Sequence, residues 1–161
     1  MNLGLEGILN IIAIVISVLL FIFAVDWRYF RDWIVVFLFN GLVDFIFGSP
    51  VVTLNLIKYP FRLLPDYYQT SLLFELWVFP VLCILYNQVT RERGFWAIIY
   101  YALLFSAGIT GIEYPIELYT DLIEYIEWNW LTSFYTLTAT LLISRSFIAC
   151  YRCGCDYFSH K

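Results

Sequence analysis

Long apolar runs alternate with short polar intervals along this chain. An α-helix rises about 1.5 Å per residue, so an apolar run of about 20 residues crosses the roughly 30 Å hydrocarbon core of a bilayer. The pattern predicts an all-α fold, a polytopic helical membrane protein with one transmembrane bundle at residues 1–148 and a Cys-containing cytoplasmic tail at residues 149–161. The predicted spans are residues 3–25, 33–57, 71–86, 95–112 and 128–148.

The segment at residues 113–127 has a different pattern, with five acidic side chains and no basic one. At about 100° per residue, the acids fall on one face of a helix and aliphatic residues on the opposite face. We therefore predict an amphipathic acidic helix before the last span, lying at the outer face or folding into it. Its acidic residues are Glu113, Glu117, Asp121, Glu124 and Glu127.

Composition supports the membrane class, because 62% of the residues are hydrophobic and only 14% are charged, outside the usual range of soluble domains. The lipid bilayer is therefore a predicted partner, whereas a net charge of −4 disfavours nucleic acid. Seven of the nine Lys and Arg residues follow the first, third and fifth spans. The positive-inside rule then predicts a multi-pass cell-membrane protein with its N-terminus outside and its C-terminus in the cytoplasm.

Asp44 lies about halfway along the second span, where an ionised carboxylate is costly and no Lys or Arg lies at a matching depth. Asn40 precedes it by one helical turn. One interpretation makes Asp44 a proton or cation site in the middle of the membrane. The other makes it a neutral acid hydrogen-bonded to Asn40 or to threonines of the fifth span. The sequence leaves both interpretations open.

Glu75 and Asn55 are predicted near the outer ends of their spans, on the same side as the acidic helix and as Lys58 and Arg62. In one interpretation, the acids of this side form a cation-attracting vestibule that leads toward Asp44. In the other, Lys58 and Arg62 are salt-bridge partners that join Glu75 to the acidic helix.

Two groups of residues could ligate a metal, although neither has the spacing of a recognised motif. The carboxylates of Glu117, Asp121 and Glu124 suit a hard divalent cation. Soft ligands for zinc follow the last span, at Cys150, Cys153, Cys155 and His160. The usual second ligand pair is missing there, which favours free thiols or a lipid-attachment site. The chain has a single His, which excludes a His-based triad, and the pattern identifies no catalytic residue and no cofactor.

Three stretches stand out as motifs: residues 57–62, the segment with Phe74-Glu75, Phe79-Pro80 and Asn87, and residues 119–130. As a set they resemble a family of small uncharacterised membrane proteins of endospore-forming bacteria, with a likeness that runs from about residue 33 to residue 145. The resemblance implies a bacterial cytoplasmic-membrane location and no particular reaction. The chain departs from the family at Glu127, where the family has His, and in the Cys-rich tail. Both departures make a metal site harder to carry over.

Three classes of function remain open. The first is a protein that handles or senses a proton or cation through intramembrane and outer-face carboxylates, with an ion or water beside Asp44. The second is a non-catalytic subunit that docks a basic protein partner on its acidic helix, or a homodimer formed through small residues of the fourth span. The third is a metal-dependent lipid-processing enzyme with at least two acids around one point. The sequence favours the first class.

Overall fold

The computed structural model describes residues 4–61 and 70–159 of the 161-residue chain, with side chains to residue 158. Its helices are α1 (Leu5–Phe23), α2 (Phe30–Thr53), α3 (Phe79–Thr90), α4 (Phe95–Tyr119) and α5 (Trp130–Ser159). Short elements connect them: a 3₁₀ turn at Trp27–Tyr29, a π-helical turn at Phe74–Val78, and the strands β1 (Ile57–Lys58) and β2 (Glu124–Tyr125).

The prediction of an all-α fold with helices able to cross a membrane is confirmed. Four helices are long and apolar enough to cross a membrane: Leu5–Phe23, Trp27–Thr53, Phe95–Tyr119 and Trp130–Phe158. Large apolar side chains on them face outward, including Leu38, Trp96 and Ile112, as expected of helices surrounded by lipid. Residues 74–90, in the region of the predicted third span, form a shorter apolar helix. Four of the five predicted spans are therefore long and apolar enough to cross a membrane.

The helices run up and down between two ends of the bundle. At one end, Gln88 near the end of α3 accepts a hydrogen bond from the Asp26 amide and donates one to the Ala24 carbonyl. α5 reaches the same end, where Arg152 pairs with Asp32 of α2. We call this end, formed by the start of α2 and the ends of α1, α3 and α5, the arginine end. The opposite end, which holds β1, β2 and the start of α5, is the carboxyl end.

The core lies between α2, α3, α4 and α5, and α1 packs on its outside. Within α1 only Gly7 and Ser17 are buried. Ser17 accepts a hydrogen bond from the Trp77 indole at 2.9 Å, which joins α1 to the π-helical turn. The core includes Trp33, Val36, Phe79, Ile84, Tyr86, Ala102, Leu141 and Ile148.

The predicted acidic helix is wrong beyond Tyr119. α4 continues without interruption to Tyr119, and Thr120 is extended with φ of −141°. The Thr120 hydroxyl donates to the Ile116 carbonyl at 2.6 Å and satisfies one carbonyl of the last turn. The next nine residues form a connection without α-helix that contains β2.

Charge and hydrophobic pattern both explain why the helix ends there. The end of α4 separates the first two acids of the segment from the other three, which removes like-charge pairs spaced three and four residues apart. Beyond it, Ile123 is buried, Glu124 is exposed and Tyr125 is half-buried, the two-residue period of a strand. β2 pairs antiparallel with β1, with Ile57 opposite Tyr125 and Lys58 opposite Glu124.

The π-helical turn stands directly before Pro80, the second residue of α3. Proline has no N–H for the carbonyl four residues earlier, and its ring clashes with that carbonyl. A π-helical turn accommodates such a break and is often found at functional positions. Glu75 lies in this turn and is only 5% exposed.

α5 extends past residue 148, where we predicted the tail to begin. The helix carries Cys150, Cys153 and Cys155 in its last turns, and all three thiols are free. The Cys-containing segment is therefore a continuation of the last helix.

Candidate functional site

The Glu75 carboxyl is buried against Gly48 of α2. A Cβ added at Gly48 would collide with a Glu75 carboxyl oxygen, so this close approach requires glycine. Thr70 is a hydrogen-bonding neighbour of the carboxyl, whereas Oε2 has no hydrogen-bond partner among the residues that the structure describes. Glu75 is thus a buried acid with one unpaired oxygen.

Asp44 lies on α2 one helical turn before Gly48 and interacts electrostatically with Glu75. Its neighbour Asn40 does not hydrogen-bond to it. The Asn40 amide donates to Val36 and Ser144, and its Oδ1 has no partner among the described residues. The interpretation in which Asn40 satisfies Asp44 is therefore wrong. The hydroxyls of Thr136 and Thr140 on α5 donate to carbonyls of their own helix.

Glu113 reaches the carboxyl end from α4 and is held there by hydrogen bonds. The Ser133 hydroxyl of α5 donates to Glu113 Oε1 at 3.1 Å and accepts from the Trp128 indole at 2.9 Å. The Tyr125 hydroxyl of β2 lies 3.1 Å from the same Ser133 oxygen. Burial raises the pKa of Tyr125, so its phenol keeps its proton at neutral pH and remains a hydrogen-bond donor.

Tyr59, which follows β1, connects these acids. Glu75, Glu113 and Asp44 all interact with it electrostatically. Burial, together with the charges of Glu75 and Glu113, raises the pKa of the Tyr59 phenol, which therefore stays neutral. We call Asp44, Glu75, Glu113 and Tyr59 the carboxyl cluster. Its three acids come from α2, the π-helical turn and α4, and all three are residues that the sequence analysis singled out.

A layer of buried amides lies one helical turn from Asp44, nearer the start of α2. Asn40 on α2 and Asn87 on α3 both donate to the Ser144 hydroxyl of α5, at 2.8 and 2.9 Å. All three residues have no exposed surface. Both amide oxygens lack a hydrogen-bond partner within the described part of the chain. We call these three residues the amide layer; Asn87 and Ser144 in it were not predicted as site residues.

Other predicted site residues lie outside the carboxyl cluster. Asn55 is exposed just after α2, where its φ of 56° marks the left-handed residue that follows the helix. Glu117 is half-buried on α4 and lies near Tyr125. Asp121 and Glu124 are exposed in the connection between α4 and α5. These acids lie at the carboxyl end, outside the carboxyl cluster.

The predicted salt-bridge partners do not neutralise the cluster in the described part of the chain. Lys58 is exposed in β1, and the ion pairs between described residues are all at the arginine end. Arg62 lies outside the described residues. The network in which Lys58 and Arg62 lock Glu75 in place therefore has no described contact.

The metal hypotheses also gain no support from the described residues. Within 4–61 and 70–159 there is no group of three or more His, Cys, Asp or Glu side chains that could hold a metal ion. Glu117, Asp121 and Glu124 lie on different elements. Cys150, Cys153 and Cys155 are free on α5, and His160 lies outside the described residues.

The sequence analysis missed a second polar site, at the arginine end. Asp32 is 6% exposed near the start of α2 and pairs with Arg152 at 2.9 Å and with Arg91 at 3.7 Å. The Arg91 guanidinium stacks 3.2 Å from the centroid of the Tyr29 ring. The available signal was the charged interval between the first two spans, which we used only to orient the chain.

Comparisons with protein-family models, with curated proteins and with solved structures find no match to this chain. The resemblance to membrane proteins of endospore-forming bacteria therefore stays a prediction. The case for a function rests on the geometry of the bundle.

Proposed function

We propose that this protein is a small integral protein of the cell membrane that binds a proton or a cation at the carboxyl cluster and either transports or senses it. In this proposal residues 74–90 also cross the membrane, as the third of five spans. The N-terminus lies outside and the C-terminus in the cytoplasm. Glu75 packs beside Gly48 at the carboxyl end, and Gln88 bonds to Asp26 at the arginine end. This short helix therefore runs between the same two ends as its longer neighbours.

The observation that carries the proposal is a set of buried acceptor oxygens without donors. Glu75 Oε2, Asn40 Oδ1 and Asn87 Oδ1 are all buried and have no hydrogen-bond partner among the described residues. A buried acceptor left without a donor costs about 1–3 kcal/mol. The Glu75 oxygen lies in the carboxyl cluster and the two amide oxygens lie in the amide layer, and each is complementary to a cation or to a protonated carrier.

The charges of the carboxyl cluster favour the same ligand. Asp44 and Glu75 interact electrostatically in a low-dielectric interior, where the two carboxyl groups cannot both ionise without a counter-charge. The arginines that form ion pairs in the described residues lie at the opposite end of the bundle. A bound proton or cation supplies the counter-charge.

Exposed acids give the cluster an entrance of suitable charge. Asp121, Glu124 and Glu127 lie in the connection at the carboxyl end and are exposed. Acids of one sign around a low-dielectric opening raise the local concentration of cations. In this proposal they act as the vestibule of the site, with the half-buried Glu113 at the same end.

The two alternatives have less support. A subunit that docks a basic partner was expected to use one continuous acidic helix, and the structure divides those acids between α4 and an irregular connection. A metal-dependent lipid-processing enzyme was expected to place at least two acids around one point, and it gains no support from a larger group, because the described residues contain no set of three or more possible metal ligands.

Thermal unfolding of the purified full chain in detergent tests the proposal. A ligand that binds only the folded state raises the unfolding midpoint by mass action, by about 2.7 kcal/mol of stability at a ligand concentration of about 100 Kd. We expect an added cation or a step in pH to shift the midpoint of the native chain. Asp44→Asn and Glu75→Gln are expected to lose that shift.

The matched control is Glu92→Gln, which removes an exposed acid that lies outside the carboxyl cluster and its vestibule. It is expected to keep the response of the native chain. The proposal fails if no cation and no pH step moves the native midpoint. It also fails if all three variants respond like the native chain.

A further inference from the structure

The arginine end contains a polar pocket of about 290 Å³. Its lining contains Arg28, Arg31, Arg91 and Arg152, together with Asp32 and Asp156. Four arginines against two aspartates leave two positive charges uncompensated. Arg28 also pairs with Asp26 at 2.8 Å, so the uncompensated charge is one to two. A group of this charge at the end of the spans attracts anions.

Two of these arginines, Arg91 and Arg152, are held in fixed positions around Asp32. Arg152 Nε donates to Asp32 Oδ2 at 2.9 Å, and Arg91 Nη1 lies 3.7 Å from the same oxygen, too far for a hydrogen bond. The Arg91 guanidinium is stacked on the Tyr29 ring, and both guanidiniums lie 6.0 Å from the Trp33 ring. Ring stacking and ion pairing therefore fix the planes of the Arg91 and Arg152 guanidinium groups before any ligand binds.

Each of these two arginines has a buried donor with no acceptor. Arg91 Nη1 and Arg152 Nη2 are buried and have no hydrogen-bond partner among the described residues. The carboxyl cluster and the amide layer differ from this end, because their unpaired buried atoms include carboxyl and amide oxygens. Unpaired guanidinium N–H groups are complementary to the oxygens of an anion.

We infer that this pocket binds a phosphate-bearing anion. Planar guanidinium forks match phosphate oxygens, and a phosphate group carries about one to two negative charges, equal to the uncompensated charge of the pocket. Its several oxygens can accept from Arg91 and Arg152 together, with Arg28 and Arg31 at the rim. The phosphate comes either from a lipid headgroup or from a soluble phosphate compound.

The surroundings place the pocket at headgroup depth. Trp27, beside the pocket-lining Arg28, and Tyr157, beside Asp156, are 44% and 61% exposed. Exposed Trp and Tyr at the ends of spans settle at the membrane interface. Basic pockets between helices on the cytoplasmic side are suited to lipid phosphate.

The test compares two sources of phosphate with the purified full chain. In detergent, inorganic phosphate is compared with chloride at equal ionic strength. In bilayer discs, phosphatidylglycerol is compared with phosphatidylcholine. The unfolding midpoint is measured in each arm, and native mass spectrometry counts bound lipid. A rise with inorganic phosphate indicates a soluble ligand, and a rise with phosphatidylglycerol over phosphatidylcholine indicates a headgroup phosphate whose charge is not balanced by choline; either result supports a phosphate site.

Arginine variants locate the effect. Arg91→Gln and Arg152→Gln are expected to weaken the apparent affinity roughly tenfold or more, because each removes charge-assisted hydrogen bonds. Arg31→Gln removes an exposed charge at the rim and is expected to weaken it about two- to fivefold. Because Arg31 is exposed, this variant keeps the test valid if the other two fail to fold.

Arg93→Gln is the matched control, because Arg93 lies two residues from Arg91 but donates to Val89 and sits 5.0 Å from the Tyr101 ring. It is expected to retain the native response. The inference is overturned if neither phosphate nor phosphatidylglycerol raises the native midpoint. It is also overturned if Arg93→Gln loses the response as fully as the pocket variants, since the effect is then general charge.

Discussion

At the residue scale, the site depends on a missing side chain. Gly48 lets the Glu75 carboxyl approach α2 more closely than any other residue type would allow. Gly41, on the same helix, is also buried, but a Cβ there would lie 3.8 Å from Pro80 and 3.9 Å from Leu76, at ordinary contact distances. Gly48 is therefore needed for the position of the Glu75 carboxyl, whereas the space beside Gly41 can hold a methyl group.

Alanine at these two positions separates the roles. We expect Gly48→Ala to displace the Glu75 carboxyl and to destabilise the fold by about 1–3 kcal/mol, as overpacking does. Gly41→Ala should be neutral or slightly stabilising, because alanine gains up to about 1 kcal/mol over glycine inside a helix. Thermal unfolding in detergent measures both. Equal costs at the two positions would contradict the contact.

The amide layer gives a second prediction at this scale. Ser144→Ala removes the acceptor shared by Asn40 and Asn87, and interhelical hydrogen bonds of this kind contribute about 0.6 kcal/mol each on average within a membrane. We expect a loss of roughly 1–2 kcal/mol. Ser146→Ala is the control, because the Ser146 hydroxyl is exposed and donates only to Leu142 of its own helix. A loss as large for Ser146→Ala would refute the special role of Ser144.

Much of the residue pattern could be predicted from sequence. Helical spacing put Asn40 one turn before Asp44 in the second span, and the structure places Asn40 against protein. The contact between Gly48 and Glu75 could not be predicted, because it depends on which helices are neighbours. For the same reason, Asn87 and Ser144 showed no sign of a shared hydrogen bond with Asn40.

At the element scale, the acidic segment shows how two periods can overlap. Its five acids fit one face of a helix, yet Ile123, Glu124 and Tyr125 also fit the alternation of a strand. The deciding factor lies elsewhere in the chain, since β2 needs β1 as a partner. Backbone bonds from Ile126 and Glu127 to the Leu56 carbonyl complete the pairing. A single segment read alone cannot reveal that partner.

Cysteine cross-linking tests the strand pair. Opposite residues in an antiparallel pair have Cα atoms about 4.5–5.5 Å apart, within the range of a disulfide. In a background with Cys150, Cys153 and Cys155 changed to Ser, we expect Lys58→Cys with Glu124→Cys to form a disulfide under mild oxidation. Mass spectrometry of the digested chain identifies it.

The control pair is Lys58→Cys with Asp121→Cys. Asp121 is also an exposed acid, but it is not opposite Lys58 in the strand pair. Cross-linking is expected to be much weaker. If the acidic segment were instead a continuous helix at residues 113–127, the Lys58 and Glu124 positions would not be paired, and the two double variants would cross-link to a similar extent.

At the scale of the whole molecule, the unpaired buried polar atoms differ in kind from one end of the bundle to the other. The unpaired buried atoms at the carboxyl end and in the amide layer include carboxyl and amide oxygens, and those at the arginine end are guanidinium nitrogens. The first set is complementary to a cation or proton and the second to an anion. The spans and their order followed from hydrophobic runs, but this division required knowledge of which polar side chains are paired.

Infrared difference spectroscopy of the full chain in lipid is the most direct test of the carboxyl cluster, because a protonated carboxyl and a carboxylate absorb at separate frequencies. We expect a carboxyl band that changes with pH and with added cation. The change should be reduced in Asp44→Asn and in Glu75→Gln, and retained in Glu92→Gln. A spectrum in which no carboxyl band responds to either, or in which the response persists unchanged in Asp44→Asn and Glu75→Gln, would contradict the account.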